Sequence, residues 1–256
     1  MDKNRIIKKN LEFHLSNSIK LFKGAFSFLK VVQQELNNFD NIKWLPSEGF
    51  DNEKLKDDSK NELVQLLNDT QLHLEIDQLI DDLVDVNEKR IQDDIESQLL
   101  ENLSSISLSI PDEKKDLELN LLFIEHNYHL DTYFSGFDDA SYAHKLLSGK
   151  ECLKYDYKKE LFIGAGGFKY NALLSPYLKF EERLGEEKVD TINEALFGGN
   201  YLEEVKKLYL LNGFLGIHLC LDRIGEEIRR IDIPMRNEVF IFGNEHDCEQ
   251  LNIYVL

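Results

Sequence analysis

Three stretches of the chain carry residue types at spacings that could do chemistry. Glu125-His126-Asn127-Tyr128-His129-Leu130-Asp131 is the densest group of metal-ligand side chains. On an extended strand His129 and Asp131 point the same way, and His126 could reach across a turn. Zinc accepts an imidazole pair with a carboxylate. The H-x-x-H spacing lacks helical i, i+4 geometry and no fourth ligand is identifiable, so His126, His129 and Asp131 are weak metal candidates. A hydrogen-bonded surface turn is the simpler expectation, and no metal or other cofactor is assigned.

Ile163-Gly164-Ala165-Gly166-Gly167-Phe168 could bring backbone amides close to a phosphate. A dinucleotide fingerprint needs a third glycine where Lys169 stands, and no Walker Lys-Ser/Thr pair follows. The expectation is a tight turn or bulge that uses glycine's freedom at positive φ. Asn244-Glu245-His246-Asp247-Cys248 places an imidazole and a thiol two apart, but a nucleophilic cysteine also needs an oxyanion pocket, which one loop rarely supplies. The chain contains no G-x-S-x-G elbow, H-E-x-x-H or EF-hand loop. No catalytic residue is assigned.

The fourth feature is electrostatic. The 256 residues carry a net charge of −18, and residues 51–100 alone carry −10 of it. Within that block Asp77, Asp81, Asp85 and Glu88 recur at three- and four-residue steps, flanked by Asp82, Asp93 and Asp94. Like charges at that spacing are neighbours on a helix and cost a few tenths of a kcal/mol each. A solvated face that aids solubility is one account of them. The other is a docking surface for a basic partner, with Trp44 in the adjoining loop as an aromatic anchor. A pI near 4.8 argues against a protein whose own task is to grip nucleic-acid phosphates.

These residues need elements to hold them. Residues 5–38 read as a helix or a broken pair, with Leu11, Leu15, Phe22, Phe26, Leu29, Val32 and Leu36 on one face and Phe13, Leu21, Phe28 and Val31 widening it. A second helical region spans about 59–103, with a break near Thr70; Ile76, Leu79, Ile80, Leu83 and Val86 line its apolar side. After Pro111 the pattern alternates. Strands are expected over 117–123 and 129–134, turning near His126-Asn127, then a short helix over 141–147 and short strands within 153–168. Residues 170–183 are ambiguous. Helices follow over 189–197, 201–211 and 214–230, and strands over 238–242 and 251–255 close a terminal hairpin. The expected class is α+β: a mainly helical part, 1–110, with the acidic second helical region, followed by a mixed α/β part, 111–256, ending in a β-hairpin. No Pro/Gly/Ser linker separates them, so one shared core is compatible with the composition.

No apolar run reaches the roughly 20 residues a bilayer span requires; the most apolar window, 208–221, is interrupted by Asn212, Gly213 and His218. No secretory leader is legible, and three scattered cysteines make no disulfide framework, which points to the cytoplasm. The functional expectation is a non-enzymatic acidic protein that neutralises a basic protein partner. Its concrete form is a bacterial-type immunity protein or antitoxin that blocks a toxin such as a nuclease, with no direct nucleic-acid or membrane contact. The alternative is an enzyme of unknown reaction, using the glycine loop 164–167 and the His-rich turn 126–131. Nothing in the sequence sets the oligomeric state.

Overall fold

The computed structural model describes residues 2–33, 65, 69–84, 88–127, 131–139, 159–167, 169, 171–195, 201–245 and 251–256. Trp44, Asp85, His129, His246, Cys248 and the helix expected over 141–147 lie outside that set, and so does the side chain of Glu88. Among the described residues, six α-helices and a five-stranded mixed sheet make the fold α+β: a helical N-terminal half, then an α/β half that ends in two paired strands. The helices are α1 (Lys3–Gln33), α2 (Thr70–Val84), α3 (Glu88–Ser109), α4 (Asn171–Leu184), α5 (Glu186–Ala195) and α6 (Tyr201–Ile228). The strands are β1 (Leu119–His126), β2 (Thr132–Phe137), β3 (Glu160–Ala165), β4 (Met235–Glu245) and β5 (Leu251–Val255).

The chain divides into two compact units. The first comprises residues 1–13, 87–172 and 213–256. It holds the sheet, in the order β3-β2-β1-β4-β5. β1 and β2 form the expected antiparallel hairpin, pairing from Leu121↔Phe137 to His126↔Thr132. β1 and β4 run parallel, which requires the long crossover through β2, β3 and α4 to α6. β4 and β5 close the terminal hairpin. Every residue of β1 is buried except the half-buried Glu125, so the central strand is covered on both faces and the alternation expected for residues 117–123 does not hold. Gly243 on β4 explains part of this close packing: a Cβ there would stand 2.5 Å from the Phe214 ring of α6 and 2.6 Å from Ile253.

The second unit comprises residues 14–86 and 173–212. In it α2 begins at an Asp69 cap, whose Oδ1 accepts from the amides of Gln71 at 3.0 Å and Leu72 at 3.1 Å. Leu72, Ile76, Leu79 and Ile80 then bury one face of the helix. The Tyr209 hydroxyl donates to the Leu79 carbonyl at 3.3 Å, and Tyr177 packs edge-on against Tyr209. The ambiguous stretch 170–183 is the helix α4, despite Pro176 inside it. Gly185, at φ 83, turns the chain from α4 into α5.

Two further expectations need correction. Residues 201–228 form one continuous helix rather than two, because Asn212-Gly213 lies between positions whose burial outweighs glycine's propensity cost of about 1 kcal/mol: Leu208, Tyr209 and Leu210 before it, Phe214 and Ile217 after it. Phe13 and Leu21 on α1, expected to be covered, are exposed, whereas Ile7, Leu11 and Phe22 are buried.

Candidate functional site

Of the acidic positions that are described, Asp77, Asp81 and Asp82 sit on α2 in the second unit, whereas Glu88 opens α3 in the first. Burial of Leu72, Ile76, Leu79 and Ile80 turns Asp77, Asp81 and Asp82 towards partial exposure. Asp81 is paired within the fold: Lys23 of α1 forms a salt bridge with it. Asp82 accepts from Gln78 at 2.7 Å, one turn back. Among the described residues neither Asp77 nor Asp82 has a cationic partner. Asp82 lies close enough to the Tyr209 phenol to help hold it protonated; burial pushes that hydroxyl well above its usual range, and the carboxylate adds to the effect. Leu74, 63% exposed, shares the helix face of Asp77 and Asp81 at i, i+3 and i+7. The flanking Asp93 belongs to the other unit, where it pairs with Arg223 at 3.5 Å.

The His-rich turn and the glycine loop do meet. Asp131 and Lys169 form an isolated backbone bridge, and the Lys169 ammonium stands 3.4 Å from Asp131 Oδ1. The Asn127 side chain caps the same turn, its Oδ1 accepting from the Asp131 amide at 2.9 Å. Gly164, Gly166 and Gly167 all adopt positive φ. At Gly167, φ 133, a Cβ would stand 1.9 Å from the Thr132 carbonyl oxygen, so only glycine lets the loop cross the start of β2. His126, next to this junction in sequence, is buried. Its imidazole is 1% exposed and packs edge-on to Phe214, with ring centroids 5.1 Å apart. Among the described residues no group of three or more His, Cys, Asp or Glu gathers as a metal site requires. Cys220 is buried, its Sγ donates to the Gln92 carbonyl at 3.4 Å, and burial, with Glu96 adding to it, pushes the thiol up to about 12.

No known protein family, curated protein or solved structure matches this chain.

One constellation escaped the sequence. Between Leu119↔Met235 and Leu121↔Phe240 the pairing of β1 with β4 slips, and β4 bulges by three residues. Side chains hold the bulge in place. Arg229 donates to the carbonyls of Arg236 at 3.1 Å and Asn237 at 2.8 Å, and Asn120 Nδ2 donates to that of Glu238 at 2.9 Å. The result is a cleft of about 340 Å³ lined by Glu118, Asn120, Met235, Arg236, Asn237, Glu238 and Phe240. Asp138 orients the Arg236 guanidinium, taking Nε and Nη2 on Oδ1, both at 2.8 Å. Burial works to raise the Asp138 carboxyl, but Arg236 and the Glu118 amide outweigh it and hold it below the ordinary range. The visible trace in the sequence was Arg236-Asn237-Glu238, a polar triplet leading into an apolar strand.

Proposed function

We propose that this chain is a non-enzymatic acidic binding protein whose partner is a basic protein. Its specific form is an immunity protein or antitoxin, working in the cytoplasm, that occludes a cationic toxin such as a nuclease. The observation that carries the reading is on α2: Asp77 and Asp82 project from a helix anchored by its apolar face, and no cation in the described residues answers them. Exposed Leu74 beside them supplies an apolar anchor of the kind that interface cores use. A nuclease needs a basic cleft for its own substrate, and an acidic face complements that cleft, speeding encounter and selecting the partner. The interaction needs no catalytic group, no cofactor and no direct contact with nucleic acid. That no helix among the described residues is long and apolar enough to cross a membrane is compatible with this setting.

The test is capture of a partner from the host lysate at low and high salt. It compares the wild type with an Asp77→Lys/Asp82→Lys variant, which leaves the Lys23–Asp81 pair intact. The expected result is a stoichiometric basic partner that is lost with the reversal. Affinity unchanged from roughly 50 to 300 mM salt would overturn the reading, because exposed charge is screened over that range.

A second reading, an enzyme working at the glycine loop, is favoured by one observation: Gly167 and Lys169 pack on Thr132 and Asp131. Saturable perturbation of Gly164 to Gly167 amides by a phosphate-bearing ligand, with no basic partner captured, would select it over docking.

A further inference from the structure

Among the described residues β5 ends the sheet on one side, and such a strand offers its outward N–H and C=O groups to any second strand. Its sequence favours that pairing. Residues 251–256 read Leu-Asn-Ile-Tyr-Val-Leu, without charge, proline or glycine, which is the composition of a self-pairing segment. Native sheets commonly protect an edge with lysine, proline or another charge on the strand itself, and β5 has none of these. Side chains from other elements take its outward groups instead. Leu256 exchanges both main-chain hydrogen bonds with Val239 of β4, at 2.9 and 3.2 Å, so the alternation of the strand turns both groups of Val255 outward. Asn4 of α1 meets them: its Nδ2 donates to the Val255 carbonyl and its Oδ1 accepts from the Val255 amide, each at 2.9 Å. A side-chain carboxamide thus stands where the peptide group of a further strand would stand. Two residues earlier, the Ile253 carbonyl accepts from Nδ1 of the buried His218 at 2.7 Å; a carbonyl only accepts, so that nitrogen carries the proton.

The same device recurs on the β3 side of the sheet. Beyond the glycine loop Lys169 bridges Asp131, and Gln98 of α3 holds both main-chain groups of Lys169, Oε1 accepting from the amide at 3.2 Å and Nε2 donating to the carbonyl at 3.4 Å. Asn4 and Gln98 act across 251 and 71 positions, so neither contact is a local turn. The β3 side also has the charges of Glu160 and Lys169, whereas β5 depends on its side-chain cover alone.

We infer that Asn4 is an edge guard, which stops a second copy of this chain from adding its own β5 antiparallel to this one. The strand itself points to a second copy: a two-fold axis sets residues 251–256 against the same segment, each Val255 finds the donor and acceptor that Asn4 supplies, and the segment has no charge to oppose the approach. Buried Ile7 and Leu11 anchor the helix that presents Asn4, so loss of its side chain uncovers the edge and leaves α1 in place. All of these residues belong to the first unit, and the outcome of partner docking at α2 does not bear on the inference.

The full-length chain and its Asn4→Ala variant are compared by sedimentation velocity from micromolar to near-millimolar concentration. The salt is about 0.15 M, which screens the repulsion between copies that each carry −18. Hydrogen exchange at the Val255 amide is followed over the same series. At low concentration that amide should exchange faster in the variant, having lost its acceptor. As concentration rises, the variant's mass should climb towards twice that of the wild type, and the amide should regain protection as a second β5 covers it. Asn4→Asp is the control: it loses the donor to the Val255 carbonyl but leaves a carboxylate on the edge, so it should keep the wild-type mass. Asn4→Ser, too short to span both bonds, replaces alanine if circular dichroism shows that Asn4→Ala does not fold. A wild-type mass throughout, association without renewed protection of Val255, or equal association in Asn4→Asp would overturn the inference.

Discussion

Alanine at each of two glycines in the 164–167 loop separates a conformational role from a ligand-binding one. Gly164 has φ 59 and nothing within 4 Å of a notional Cβ. Alanine there meets only the left-handed backbone penalty, about 1–2 kcal/mol. Gly167 is different on both counts. Its φ of 133 lies outside the left-handed helical region, and the new methyl would stand 1.9 Å from the Thr132 carbonyl oxygen. That contact is with backbone, so no side-chain rotation relieves it. Relief would require breaking the Asp131↔Lys169 bridge and lifting the loop off β2. We expect Gly167→Ala to cost more than about 4 kcal/mol, a large share of an ordinary domain's 5–15 kcal/mol. Urea titration followed by circular dichroism gives both values, provided the slope of the transition is unchanged. A Gly167→Ala variant within about 1 kcal/mol of Gly164→Ala would refute the close-approach argument. It would also return the loop to the enzyme reading, in which the glycines serve a ligand and alanine would cost binding more than stability.

Three further outcomes are expected. Asp138→Asn removes a carboxylate that takes two N–H groups of Arg236, and should cost about 2 kcal/mol near neutral pH, measured by denaturant midpoint. Since the folded state holds the Asp138 carboxyl below its ordinary value, its contribution is present above the unfolded pKa and is lost as pH falls through the folded one. The difference between wild type and variant must therefore shrink on acidification below about pH 4, and a pH-independent difference would contradict the assignment. Asp81→Asn should cost no more than about 1 kcal/mol through loss of the Lys23 pair, whereas Asp77→Asn and Asp82→Asn should be neutral or slightly stabilising; a penalty at Asp77 as large as at Asp81 would reveal a cation there. Cys220, buried and pushed up to about 12, should resist alkylation at pH 8 until the protein unfolds, with peptide mapping as the readout.

What the sequence made legible was local. The β1–β2 pairing, the terminal hairpin, the start of α2 near Thr70 and a long helix α1 all follow from patterns within a few residues. The misses are tertiary. Pro176 masked α4, and Asn212-Gly213 suggested a break that burial of Leu210, Phe214 and Ile217 overrides. The β4 bulge depends on Arg229 and on Asn120, the latter 118 residues from the carbonyl it binds, and no periodicity in either strand announces a slip of register. The glycine loop has the composition of a turn, and the reason only glycine fits at Gly167 lies at Thr132, outside the motif.

The same distinction bears on the acidic ridge. In sequence Asp77 to Asp94 looks like one continuous excess of charge. In three dimensions part of it is answered from afar: Lys23 meets Asp81 across 58 positions, and Arg223 meets Asp93 across 130. Those acids are partners within the fold, and reversing them would put two cations together, so loss of binding in such a variant could come from local rearrangement. Among the described residues, Asp77 and Asp82 have no such obligation. Charge that the fold does not use is the charge available to a partner, which is why these two positions, rather than the whole ridge, decide whether α2 is a docking face. Binding unchanged by their reversal would make the ridge a solvated surface, however negative the chain.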